Sequence, residues 1–250
     1  MDFLVGMQNL TRCLMVFGPH GAGKSTFAAS GVGKKPKRIV LLDTEGGLNA
    51  LNVVKTPRVT SMAELATALQ LLTNTDQKYD WLGIDSVDWL ERIFHRDIAM
   101  RGQKKSIGDF EWGAGYAQAL EYWDKFLDAM DKLRKDRGCN IVMIAHSKVQ
   151  TIESPTHPSY GQYQPNLHRK ASARLQEYCD DVLYASIHTF VRTEDQGFGK
   201  KRNIGSSTSE RILTCTESAG VQAKNRLDLP AEIKLDWEVY QQAIDAKFKN

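Results

Sequence analysis

The sequence predicts an α/β fold in which a mostly parallel sheet is flanked by crossover helices. Short apolar runs alternate with longer amphipathic stretches, as strands and crossover helices do. The longest amphipathic stretch repeats its apolar residues at helical spacing. A glycine-rich segment also lies between an apolar run and a helix-like one. A chain of 250 residues suits one α/β domain with a sizeable core, and 42% hydrophobic with 25% charged residues is ordinary for a globular protein. The expected organisation is a single domain over residues 1–250, with a short N-terminal segment at 1–11 and a C-terminal helix or tail at 236–250.

The strands are expected at Arg12–Phe17, Arg38–Asp43, Trp81–Asp85, Asn140–Ala145, Asp181–Ile187 and Arg211–Thr216. Tyr116–Arg137 is the clearest helix, because Tyr116, Leu120, Trp123, Leu127 and Met130 share one face while Glu121, Asp124, Asp128 and Lys132 fall between them. Ala63–Leu72 is a second amphipathic run. Three segments escape this pattern. Arg101–Gly115 is polar and punctuated by glycine. Ser147–Lys170 holds Pro155, Pro158, Gly161 and Pro165 and is expected to resist regular structure. Arg192–Glu210, with Gly197, Gly199 and the basic run Lys200, Lys201 and Arg202, reads as a C-terminal β-hairpin with a mobile tip.

A net charge of +3 does not by itself imply a polyanionic partner. Cys13, Cys139, Cys179 and Cys215 lack metal-ligand spacing and read as buried, reduced thiols of a cytoplasmic protein. No apolar run approaches membrane-spanning length, so neither a signal peptide nor membrane association is expected.

Gly18-Pro19-His20-Gly21-Ala22-Gly23-Lys24-Ser25 matches G-x-x-x-x-G-K-[ST] at every position, and Thr26 follows. In such a loop glycines let backbone N–H groups surround phosphates, Lys24 reaches the β- and γ-phosphates, and the Ser25 hydroxyl ligates Mg²⁺. ATP and Mg²⁺ are therefore the expected ligands. Trp81–Asp85 is an apolar strand ending in a carboxylate, which suits Asp85 to the magnesium hydration shell. A strand-terminal Asp is also a common helix N-cap. Ser86 follows it, so no base stands beside the metal acid. Glu45, just past the second strand, is placed to activate water, although a solvated loop carboxylate would fit the same position.

At these residues the chain resembles the RecA/RadA superfamily of recombination ATPases. Leu42-Asp43-Thr44-Glu45-Gly46 is similar to its segment carrying the catalytic glutamate, and Ile84-Asp85-Ser86 to its metal-binding strand end. Ala223-Lys224-Asn225-Arg226 resembles a segment whose cations reach a neighbouring subunit's nucleotide. The resemblance implies a RecA-like P-loop core, with Glu45, Lys24, His146, Lys224 and Arg226 catalytic and ATP hydrolysed at inter-subunit sites of a ring or filament. His146 stands where cellular members place a glutamine γ-phosphate sensor, and Leu227-Asp228 replaces the Phe-Gly of RadA-type members. Compact phage-encoded single-strand annealing proteins are the nearest style within the group, which implies a host-cell cytoplasm.

The resemblance also places DNA-binding loops at Arg101–Trp112, with Lys104 and Lys105, and at Ser147–Lys170, with Tyr160, Tyr163, Arg169 and Lys170. Aromatic and cationic residues together suit single-stranded DNA, and an ordinary solvated loop has the same composition. The leading expectation is an ATP-dependent single-stranded DNA-binding recombination protein, with a single-strand-binding protein as a further partner. The alternatives are a helicase-like replication motor and a P-loop enzyme acting on a small substrate.

Overall fold

A computed structural model describes residues 10–31, 39–76, 78–154, 158–195 and 201–248; for 189–195 and 201–208 only the backbone is considered. The strands are β1 (Cys13–Gly18), β2 (Ile39–Asp43), β3 (Val54–Lys55), β4 (Trp81–Asp85), β5 (Asn140–Ile152), β6 (Tyr160–Pro165), β7 (Asp181–Asp195), β8 (Lys201–Thr214) and β9 (Glu232–Lys234). The α-helices are α1 (Lys24–Ser30), α2 (Met62–Asn74), α3 (Val87–Arg101), α4 (Ala114–Arg137), α5 (Arg169–Tyr178) and α6 (Trp237–Phe248).

The sheet runs β3-β2-β4-β5-β1-β7-β8-β9, parallel from β3 to β7 and antiparallel thereafter. β5 lies between β1 and β4. Alternate residues of β1 feed opposite cores, as strand geometry requires. Cys13, Met15 and Phe17 pack with Leu65, Phe94, Trp123 and Leu175 from α2–α5. Leu14 and Val16 pack with Phe27, Trp237 and Tyr240 from α1 and α6. The expected α/β class and mostly parallel sheet are observed.

The Ser147–Lys170 expectation is corrected. β5 continues past Ala145 to Ile152 and pairs antiparallel with β6, with Val149 opposite Tyr163. Arg169 and Lys170 open α5 rather than lying in a loop. Among the described residues, Pro158 precedes β6 and Pro165 ends it, and a proline at a strand end breaks no ladder bond. The tip at 155–157 lies outside the described residues. The C-terminal hairpin is present as β7 and β8, longer than expected, and its tip at 196–200 also lies outside them. In Arg101–Gly115, two short 3₁₀ turns join α3 to α4. Among the described residues, no helix is long and apolar enough to cross a membrane.

Candidate nucleotide site

The polar residues lie along one edge, where β1, β2 and β4 end and β5 passes on into its hairpin. Gly18 of β1 stands opposite His146 of β5, Asp85 of β4 opposite Ile144, and Asp43 of β2 opposite Asp85. Insertion of β5 therefore sets His146 directly beside the start of the glycine-rich loop. Gly21 and Gly23 have φ of 75° and 99°, conformations that strain any residue with a Cβ. Ala22 points into the core.

Lys24 is buried, and its Nζ donates to the carbonyls of Gly18 and Pro19 at 2.9 Å each. Burial lowers its pKa, opposed by the negative charges of Asp85, Asp88 and Glu45. Asp85 has its carboxyl pushed up to about 6. Burial is the main cause, the nearby Ser25 side chain opposes it, and Glu45 and Asp43 add to it. A buried carboxyl beside two others is relieved by a cation, so Ser25 and Asp85 fit a magnesium ion.

The chain end of β2 is clasped to that of β4. Thr44 Oγ1 donates to Ser86 O at 2.7 Å and accepts from Ser86 N at 2.8 Å. The backbone N–H groups of Thr44 and Glu45 donate to Asp85 O at 2.8 and 3.2 Å. Asp43 Oδ1 accepts from Gly46 N at 2.6 Å and shapes the turn that carries Glu45.

His146 is held from behind by α3. Asp88 accepts from its backbone N–H and faces its ring Nδ1, each at 3.0 Å. Burial raises the Asp88 pKa, but the ring and backbone hydrogen bonds from His146 outweigh it and keep the group below its ordinary value. The other ring nitrogen, Nε2, faces Glu45 Oε1 at 3.8 Å, and the exposed His20 ring stacks on His146 with centroids 4.0 Å apart.

These residues bound one cavity of about 280 Å³, lined by His20, Lys24, Ser25, Thr26, Glu45, Asp85, His146 and Arg211. Sequence reasoning missed Arg211. It comes from β8, far along the chain, and its Nη1 lies 3.1 Å from where a Cβ on Gly23 would sit. No local pattern marks it, because only sheet pairing brings β8 to this edge.

A model of the AAA domain family matches residues 11–227. The chain belongs to the AAA domain family. No curated protein matches the sequence. Among solved structures, a prototypical ATPase from the type III secretion system of pathogenic bacteria is 15% identical, with a TM-score of 0.38 over 71% of this chain and 51% of that one. The AAA domain thus spans about half the length of that ATPase. Family and loop together make it a P-loop ATPase domain.

The remaining site residues lie elsewhere in this AAA domain. Lys224 and Arg226 sit at the opposite end of the strands, where Val182 bridges Lys224. Lys224 Nζ donates to the carbonyls of Gln176, Glu177 and Cys179 at 3.1, 3.2 and 2.5 Å, capping the C-terminus of α5. This corrects the expectation of two cations reaching out together, since only Arg226 is exposed, in a surface pair with Asp180 at 3.2 Å. Lys104 and Lys105 are exposed and border a groove of about 630 Å³ with Arg92, His95 and Arg96. Tyr163 stacks on Tyr184 with centroids 5.0 Å apart, whereas Tyr160 is half-buried. Arg169 and Lys170 are exposed, and Trp112 is fully so.

Proposed function

We propose that this AAA domain is the ATP-hydrolysing core of a single-stranded DNA-binding recombination protein, acting in annealing or strand exchange with Mg²⁺ in an oligomer. One observation carries the reading. β5 delivers His146 to the nucleotide cavity and runs on without a break into the hairpin that bears Lys148, Tyr160 and Tyr163. A change in the hold on His146 therefore reaches the hairpin through one continuous strand.

In this reading Lys24 and the loop amides hold the phosphates, and Ser25 and Asp85 hold the metal. Glu45 orients and deprotonates the attacking water, and His146 senses the γ-phosphate. The basic groove supports the DNA side. His95 lines it and contacts the Tyr116 ring at 5.7 Å, and Tyr116 stacks at 4.2 Å on His168, the residue before Arg169. These contacts join Lys104 and Lys105 to the cations that open α5. Positive residues at a helix N-terminus oppose its dipole, a disadvantage that a bound phosphate chain offsets. Any contact with a neighbouring subunit's nucleotide belongs to Arg226 alone, on the face opposite its own cavity.

The test is ATP hydrolysis with and without single-stranded DNA, read alongside assembly size. Wild type is expected to hydrolyse ATP faster with DNA, and Glu45→Gln to bind ATP yet turn over roughly a hundredfold more slowly or worse. Normal hydrolysis by Glu45→Gln would remove the base assignment. Hydrolysis indifferent to DNA, with no DNA binding, would remove the recombination reading and leave the ATPase.

A further inference from the structure

His20, Glu45 and His146 converge from three separate elements: the glycine-rich loop, the turn after β2 and the end of the buried part of β5. One ligating atom from each lies within 4.8 Å of the others. Asp88 accepts from the backbone N–H of His146 and faces ring Nδ1 at 3.0 Å, so it orients the ring with Nε2 turned to the cavity. Nε2 lies 3.8 Å from the Glu45 carboxylate. A ring nitrogen and a carboxylate oxygen at this spacing can be bridged by one metal ion. His20, stacked on His146 and exposed, supplies the third donor by turning its ring.

We propose that His20, Glu45 and His146 form a binding site for a divalent transition-metal ion of the zinc class, distinct from the Ser25–Asp85 magnesium position. Two imidazoles and one carboxylate suit a borderline ion, whereas Mg²⁺ and Ca²⁺ favour all-oxygen sets. The carboxylate–histidine arrangement behind His146 is the usual means of orienting a metal-binding imidazole and raising its basicity. Ligands on one zinc ion sit roughly 3.3 Å apart at bond lengths near 2 Å. The three ligating atoms, within 4.8 Å of one another, would have to draw in to that spacing, which requires rotation of the His20 and Glu45 side chains. Three protein ligands leave a fourth position open to water or a phosphate oxygen.

Metal binding itself needs no nucleotide and does not depend on the proposed function. Its consequence does rest on that reading: an ion held here removes Glu45 and His146 from hydrolysis, so zinc inhibits the ATPase even with excess Mg²⁺.

The test uses chelator-stripped full-length chain without nucleotide, titrated with Co²⁺ and followed by visible absorption, then back-titrated with Zn²⁺. Wild type is expected to take up one ion per chain with the intense d–d bands of a low-coordinate site, and Zn²⁺ to abolish them and raise the thermal midpoint. His20→Ala changes an exposed side chain, so it is expected to fold normally and lose both responses. Asp88→Asn is expected to bind Co²⁺ roughly 10–100-fold more weakly, as loss of an orienting partner does. No bands in wild type, identical bands in His20→Ala, or a thiolate charge-transfer band pointing to the cysteines would each overturn the site. A site that binds zinc while ATPase is unaffected would overturn the inhibition and the role of Glu45, and leave the metal site standing.

Discussion

Asp88 holds His146 twice, through the backbone N–H and through ring Nδ1, each at 3.0 Å. The nucleotide-facing ring is thus positioned by the first turn of α3 rather than by its own strand. Asp88→Ala leaves a buried N–H and a buried ring nitrogen without partners. A loss of about 1–3 kcal/mol in urea unfolding is expected, together with reduced ATP turnover. Unchanged stability would mean that His146 finds another partner.

One turn further along α3, Glu91 is buried and accepts from His168 N at 2.8 Å and Trp123 Nε1 at 3.4 Å. Burial pushes its pKa up from 4.5 to about 7, against those hydrogen bonds. The folded state then holds this proton more tightly than the unfolded chain, so stability falls as pH rises from 4.5 to about 7. The slope contributed approaches ~1.4 kcal/mol per pH unit at most. Asp85, raised from 3.8 to about 6, adds a slope of the same sign. The informative quantity is therefore the difference between wild type and Glu91→Gln, whose denaturation midpoints should converge at low pH and separate towards pH 7. Parallel pH profiles would show that folding does not shift the Glu91 pKa.

Arg211 brings a guanidinium to the rim of the cavity beside Gly23. Arg211→Ala is expected to weaken nucleotide binding on the order of tenfold, the scale of one charge-assisted hydrogen bond, with little effect on melting temperature. A fluorescent-nucleotide titration measures it, and an unaltered Kd would remove Arg211 from phosphate binding.

Lys224 and Arg226 should behave differently. Lys224→Ala frees three carbonyls at the end of α5 and is expected to lower the melting temperature in the isolated chain. Arg226→Ala should leave it nearly unchanged, because exposed ion pairs contribute little. In mixtures, Lys24→Ala and Arg226→Ala subunits are expected to regain some ATPase at interfaces that join an intact site to an intact arginine. Co-assembly without recovery removes the inter-subunit role.

Trp112 is fully exposed, while Trp81, Trp123 and Trp237 are buried. Single-stranded DNA stacking on this residue would quench fluorescence that Trp112→Phe lacks. Lys104→Ala with Lys105→Ala should reduce the salt slope of binding by about 0.7 per lost phosphate contact. Quenching and slope identical to wild type would place the DNA elsewhere.

The sequence by itself determined the phosphate loop, because glycine spacing, Lys24 and Ser25 are consecutive and their chemistry is local. The strand-end positions of Asp85 and Glu45 were legible for the same reason: an apolar run that stops at a carboxylate announces its own edge. The β5–β6 hairpin was not legible, since its prolines and glycine read as loop until the partner strand is known. Only the tertiary structure decided that β5 lies between β1 and β4, that Asp88 backs His146, and that Arg211 and His20 share the cavity with Glu45. Each of those is a contact between residues tens to nearly two hundred positions apart. Strand order and side-chain packing set such distances, and no local periodicity in the chain encodes them.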